Sequence, residues 1–154
     1  MSRHAIVLAA ATLLVAACSG SAEQTAPAVT AAVELDQLDA RAPLPLQPMM
    51  ANHQKQNMRE HLEAVQGVVA ALATDDFAEV ERAAGRMGYS VQMRQMCMRM
   101  GAGTNGFSEQ ALKFHHTADR IAEAARKRDR KLVLTELGAT LNTCTSCHAA
   151  WKQQ

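Results

Sequence analysis

The sequence predicts an all-α protein built as an antiparallel, up-down-up-down four-helix bundle. Three observations carry that expectation. Hydrophobic residues make up 48% of the 154 residues but aromatics only 3%, and a core of Ala, Leu, Val and Met suits packed helices better than sheets. Apolar residues recur at alternating steps of three and four along separate segments, which is the period of one helix face. No segment alternates apolar and polar residues as a half-buried strand would.

The chain opens MSRHAIVLAAATLLVAACSG. Arg3 and His4 precede an apolar run from Ala5 to Ala17, too short to span a bilayer and suited to a secretory leader. The run ends Val15-Ala16-Ala17-Cys18, which resembles the lipobox of bacterial lipoproteins. That resemblance implies lipidation of Cys18 as the new N-terminus, and Ser19 implies delivery to the outer membrane. The plainer alternative is a signal peptide cut after Ala17 or Ala22. Lys and Arg total 16 and Asp and Glu 15, so losing Arg3 with the leader (16 − 1) leaves the two signs balanced. Such a chain has no net charge with which to recruit nucleic acid or an anionic membrane.

Residues 1–17 thus read as a lipoprotein-type signal peptide and 18–47 as a flexible tether. The tether is rich in Ala, Pro, Thr and Ser and has no sustained apolar period. Residues 48–154 read as the helical domain. Its first helix runs from Met49 to Ala73, with Met58, Leu62, Val65, Val69 and Leu72 on one stripe. Thr74-Asp75-Asp76 breaks it and caps the next. The second stripe is Phe77, Val80, Ala84, Met87 and Val91; Gly85 and Gly88 leave its continuity to Met100 open. After the Gly-rich loop 101–106, a third helix spans Ser108 to Lys127, with Ala111, His115 (or Phe114), Ala118, Ile121 and Ala125 inward. The run Arg126–Lys131 is a solvated turn beside Asp75, Asp76 and Glu79, with a docking patch for an acidic redox partner as the alternative. The fourth stripe is Leu134, Leu137, Leu141, Cys144, His148 and Trp151. It puts Cys144 and His148 on a buried seam.

The segment CTSCH, Cys144 to His148, has the spacing that attaches c-type haem. Two thiols two residues apart can each add to a vinyl group of the porphyrin, and the next residue then lies where an imidazole nitrogen can bind iron. The competing chemistries fit less well. A thioredoxin-like site needs a βαβ setting. A structural zinc site needs two more ligands, which His115 or His116 would have to help supply. A Cys144–Cys147 disulfide would be strained inside a helix.

With C-x-x-C-H in the last of four helices, residues 49–154 resemble class II cytochromes c, the cytochrome c-prime family. The resemblance implies one covalent haem c, with Cys144 and Cys147 as thioether links and His148 as proximal ligand. It places the opposite residue on the first helix. That residue is a methionine in low-spin electron-transfer members and an apolar residue in five-coordinate members that bind NO or CO. At 1.5 Å per residue, Met58 lies about 24 Å from its turn and His148 about 28 Å, so Met58 is the expected distal ligand. His61 is the alternative; His53 and Met50 lie near a fraying end. The implied role is single-electron transport to periplasmic redox partners, not enzymatic turnover, on a lipid anchor at Cys18 and with a homodimer as a family habit.

MRQMCMRM, Met93–Met100, is the second unusual stretch. On a helix, Met93, Met96, Cys97 and Met100 share one face. They read as a polarizable wall of the haem site, or alternatively as a copper-handling Cu(I) site. Cys97 is the thiol left over, buried or bridging a dimer. At most one of His115 and His116 can face inward, as a hydrogen-bonding core residue. Trp151 is expected against the haem edge or as a cap on the bundle.

Overall fold

The structure, a computed structural model, describes residues 37–153. The leader over 1–17, the lipidation expected at Cys18 and most of the tether lie outside the described residues. Five helices and two short strands follow in order: β1 (Ala42–Leu44), α1 (Pro48–Ala73), α2 (Phe77–Gly85), α3 (Val91–Met100), α4 (Phe107–Arg126), α5 (Arg130–Ala150) and β2 (Trp151–Gln153).

The helix ends follow local chemistry. Pro48 occupies the first turn of α1, where a missing N–H costs nothing. The α1–α2 and α4–α5 turns use one device twice. The middle residue, Asp75 or Arg128, takes a positive φ of 57° or 54°. The third, Asp76 or Asp129, caps the following helix by accepting from the Glu79 N–H at 3.0 Å or the Leu132 N–H at 2.9 Å. The two turns lie side by side, joined by an Arg130–Asp75 ion pair, and Arg128 sits 5.1 Å over the Phe77 ring.

The second stripe breaks into two helices. After Gly85 the Tyr89 N–H is taken by Asp119 of α4 at 3.1 Å, and Ser90 restarts the chain by capping α3 through the Met93 N–H. Gly88 permits the approach, because a Cβ there would stand 2.5 Å from Asp119 Oδ1. Val91, expected inward, is therefore exposed.

Two strands occur where none was expected. β1 pairs with β2 in parallel, Ala42 opposite Trp151 and Leu44 opposite Gln153. Packed structure accordingly begins before Pro48, and Leu44, expected in the tether, is 2% exposed. Three-residue strands distant in sequence leave no periodic trace to read.

Within the unit Ala40–Gln154, α1 packs on α2, α2 on α4, α4 on α5, and α3 lies against α4, whereas α1 and α5 share no extensive contact. Two apolar clusters result. The larger is built mostly of small residues, such as Ala64, Val68, Ala84, Ala118 and Val133, around Ile121. The smaller holds Leu44, Met100 and Phe107, with Met50, Cys147 and Trp151 against them.

The buried faces of α1 and α5 are rotated from their apolar stripes. On α1, Leu72 of the stripe is buried as expected, but Ala64, Val68 and Ala71 supply the rest of the buried face, while Leu62 is 71% exposed and Val69 53%. On α5, Val133, Leu137, Thr140 and Thr143 are buried, Leu134 and Leu141 are exposed, and His148 is not on a buried seam. The threonines can be buried because their hydroxyls donate to helix carbonyls, Thr140 to Glu136 O at 2.9 Å and Thr143 to Thr140 O at 2.6 Å. The α4 face is as expected, with Phe114, His115, Ala118, Ile121 and Ala125 buried.

Candidate functional site

Between the two apolar clusters lies a cavity of about 750 Å³. One wall is α1, through Met58, His61, Leu62 and Val65. The facing wall is α5, through Leu141, Cys144, Cys147 and His148. Phe107, Ala111, Phe114 and His115 of α4 line it between them. Met93, Cys97 and Met100 of α3 and Leu44 of β1 complete the lining. Met58, Leu62 and Val65 of the α1 stripe and Leu141, Cys144 and His148 of the α5 stripe line this space, whereas Leu72 and Leu137 join the larger cluster and Val69 and Leu134 are exposed.

The end beyond α5 is anchored by polar contacts. Trp151 donates its indole N–H to Gln110 Oε1 at 2.9 Å and stands edge-on to Phe107 at 5.9 Å. Gln153 donates to Gln54 Oε1 on α1 at 2.9 Å. Arg41 Nη1 donates to the His148 carbonyl at 3.4 Å. Sequence reasoning missed Arg41, Leu44, Gln54 and Gln153, because nothing local to each marks its contact with a residue about 100 positions away.

The three thiols at the cavity are all free. Cys97 is buried; Cys144 and Cys147 are half-buried, one turn apart on α5. Burial pushes the Cys97 thiol up to about 11. Burial, and then the proximity of Cys144 and Cys97, pushes Cys147 up to about 11. Burial also raises Cys144. All three therefore stay protonated at neutral pH. The α3 face drawn from the sequence is inward, and Met98, off that face, is exposed.

The imidazoles differ in setting. His148 is exposed at the cavity rim. His61 is half-buried, its ring 4.7 Å from Phe114 and 5.5 Å from His115. Burial, and then the neighbouring His115, pull its pKa down to about 4 against the opposing pull of Glu60. His115 is buried and donates Nδ1–H to Met87 O at 2.7 Å; burial lowers its pKa too. His116 faces outward and stacks on Tyr89 at 4.7 Å. His53 is exposed beside Asn57, and Met50 packs in the smaller cluster. Among the described residues, no group of three or more His, Cys, Asp or Glu side chains is placed to hold a metal ion by itself.

The arrangement offers thiols for covalent attachment on one wall with an imidazole next to them. A thioether and a second imidazole stand on the other wall. The apolar surroundings lower the local dielectric. No family model matches the chain, and no curated protein or solved structure matches it.

Proposed function

We propose that this chain is an exported monohaem c-type cytochrome that carries single electrons. The observation that carries the reading is the placement of Cys144, Cys147 and His148 on one wall of an apolar cavity, with Met58 and His61 on the wall across it. The cavity volume, about 750 Å³, falls in the range of roughly 300–1,000 Å³ typical of cofactor sites. Size, apolar lining and donor set all fit a covalently held haem.

Cys144 and Cys147 would hold it through thioether bonds. Each thiol would add across one vinyl group, its sulfur to one carbon and its proton to the other. His148 would be the proximal iron ligand and Met58 the distal one, with His61 as the alternative. When bound, haem iron supplies the one-electron chemistry, and a thioether opposite an imidazole raises its potential. Phe107 and Phe114 exclude water, and His115, held by its bond to Met87 O, stands edge-on to the ring of His61. The helices are read as an up-down-up-down four-helix bundle in which α2 and α3 together fill the second place, similar to class II cytochromes c. The leader and Cys18 would place the domain on the periplasmic face of the outer membrane, where its partners are redox proteins and a second copy of itself.

The test is absorption spectroscopy of the exported protein, oxidised and reduced, with and without carbon monoxide, beside Met58→Ala and His61→Ala. A low-spin spectrum whose sulfur-to-iron charge-transfer band vanishes only in Met58→Ala is the expected result. A high-spin spectrum that shifts with carbon monoxide would move the assignment to a five-coordinate gas-binding protein. Pigment that leaves the polypeptide on acid-acetone extraction would sink covalent attachment altogether.

A further inference from the structure

The cavity is apolar, yet the charges around it are all of one sign. Its lining includes Arg41, Lys55, Arg59 and Lys152 and no Asp or Glu. The whole chain carries 16 basic and 15 acidic residues, so this bias is local to the cavity and not inherited from composition. A space of that kind suits a ligand with an apolar body and anionic groups at its edge.

We propose that Lys55 and Arg59 form the anion-binding rim of the cavity and hold the carboxylates of its cofactor. The inference rests on the cytochrome reading for the identity of that cofactor. Lys55 and Arg59 are one turn apart on α1, so their side chains share one face, and they bracket Met58 in sequence. Both are exposed, and neither side chain makes a hydrogen bond or ion pair with another described residue. The acids of the same helix are occupied elsewhere: Glu60 accepts from Gln56 at 2.9 Å and Glu63 from Arg86 at 3.3 Å, and neither lines the cavity. Arg41 and Lys152 are engaged in contacts of their own. Their place is at the β1–β2 end, next to the α5 terminus that carries Cys147 and His148. The carboxylates of a haem lie on the ring edge away from the vinyl groups. Exposed and lining the cavity one turn apart, Lys55 and Arg59 are the cations suited to receive them.

The test uses the full chain with Cys144→Ala and Cys147→Ala, so that affinity is read without covalent attachment. The probes are iron-free protoporphyrin IX and its dimethyl ester, which has the same ring and no charge. Quenching of Trp151, the single tryptophan and a cavity residue, reports binding. The free acid should bind between about threefold and tenfold tighter than the ester, since each exposed ion pair contributes a factor of roughly five at most. The preference should shrink with salt, disappear in Lys55→Gln/Arg59→Gln and return in Lys55→Arg/Arg59→Lys. Circular dichroism checks that each variant keeps its helices; if the double variant does not, the two single variants carry the comparison. Equal affinity for acid and ester, or a preference unchanged in the Gln variants, overturns the rim and leaves the cytochrome reading standing. Failure of both porphyrins to bind overturns the rim, and the spectra and acid-acetone extraction decide the cytochrome reading separately.

Discussion

The two ends of the helical domain solve the packing problem in opposite ways. Near the paired turns, alanines and valines let α1, α2, α4 and α5 approach closely, and Ala64, Val68, Val80, Ala118 and Val133 are wholly enclosed. Toward the β1–β2 end the side chains are larger, Leu44, Met100, Phe107 and Trp151, yet α1 and α5 stand apart around a cavity. Small residues make the closed end self-sufficient. The larger residues of the other end line a cavity instead of closing on one another.

The largest expected effect breaks the closed end. Ile121→Ala removes a fully buried side chain from the main cluster and should cost about 2–5 kcal/mol. Chemical denaturation should give the same loss with and without the cofactor. A loss that depends on the cofactor would show that the two ends are not independent.

Leu44→Ala sharpens the contrast. Leu44 is buried but borders the cavity, so its loss from the empty chain should cost about 2 kcal/mol, the low end for such a truncation. The loss should grow once the cavity is filled. An equal or smaller loss in the filled protein would remove Leu44 from the cofactor wall.

Acid should act on the cavity side. An unfolded imidazole titrates near 6.5, whereas His61 titrates at about 4, so protons bind the unfolded chain first. The stability due to neutral His61 is complete above about pH 6.5 and lost as pH falls toward 4. His115 acts in the same direction. Thermal unfolding of the cofactor-free chain should show a falling midpoint across this window, flattened in His61→Leu. A midpoint indifferent to pH there would mean that His61 is solvated.

The smallest effect belongs to the turns. Arg130 and Asp75 are both about half exposed, so Arg130→Ala should cost less than about 1 kcal/mol. A larger loss in denaturant titration would give the paired turns a structural weight that their exposure does not suggest.

Helix positions and turn chemistry were legible because they are local. Thr74-Asp75-Asp76 announces a break and a cap, and the stripe of α4 named its buried face. The inward face of Met93, Cys97 and Met100 was legible for the same reason. The faces of α1 and α5 were misread because hydrophobicity does not say what an apolar stripe faces. Met58, Leu62, Leu141 and His148 look across a cavity, and the burial expected of them went to Asn57, Ala64, Thr140 and Thr143. The break before Ser90 depended on Asp119 reaching Tyr89 from another helix. The strands depended on a pairing between distant segments.

That pairing also sets an order of events during synthesis. Trp151–Gln153 are the last of the described residues to be made, and until they are present Ala42–Leu44 has no strand to join. Leu44 then cannot seat beside Trp151, and the side of the cavity that it closes stays open. All five helices, α1 to α5, are therefore complete in the chain before the mouth beside Cys147 can be latched. Closure of this end waits on the pairing of the first and last elements of the described region.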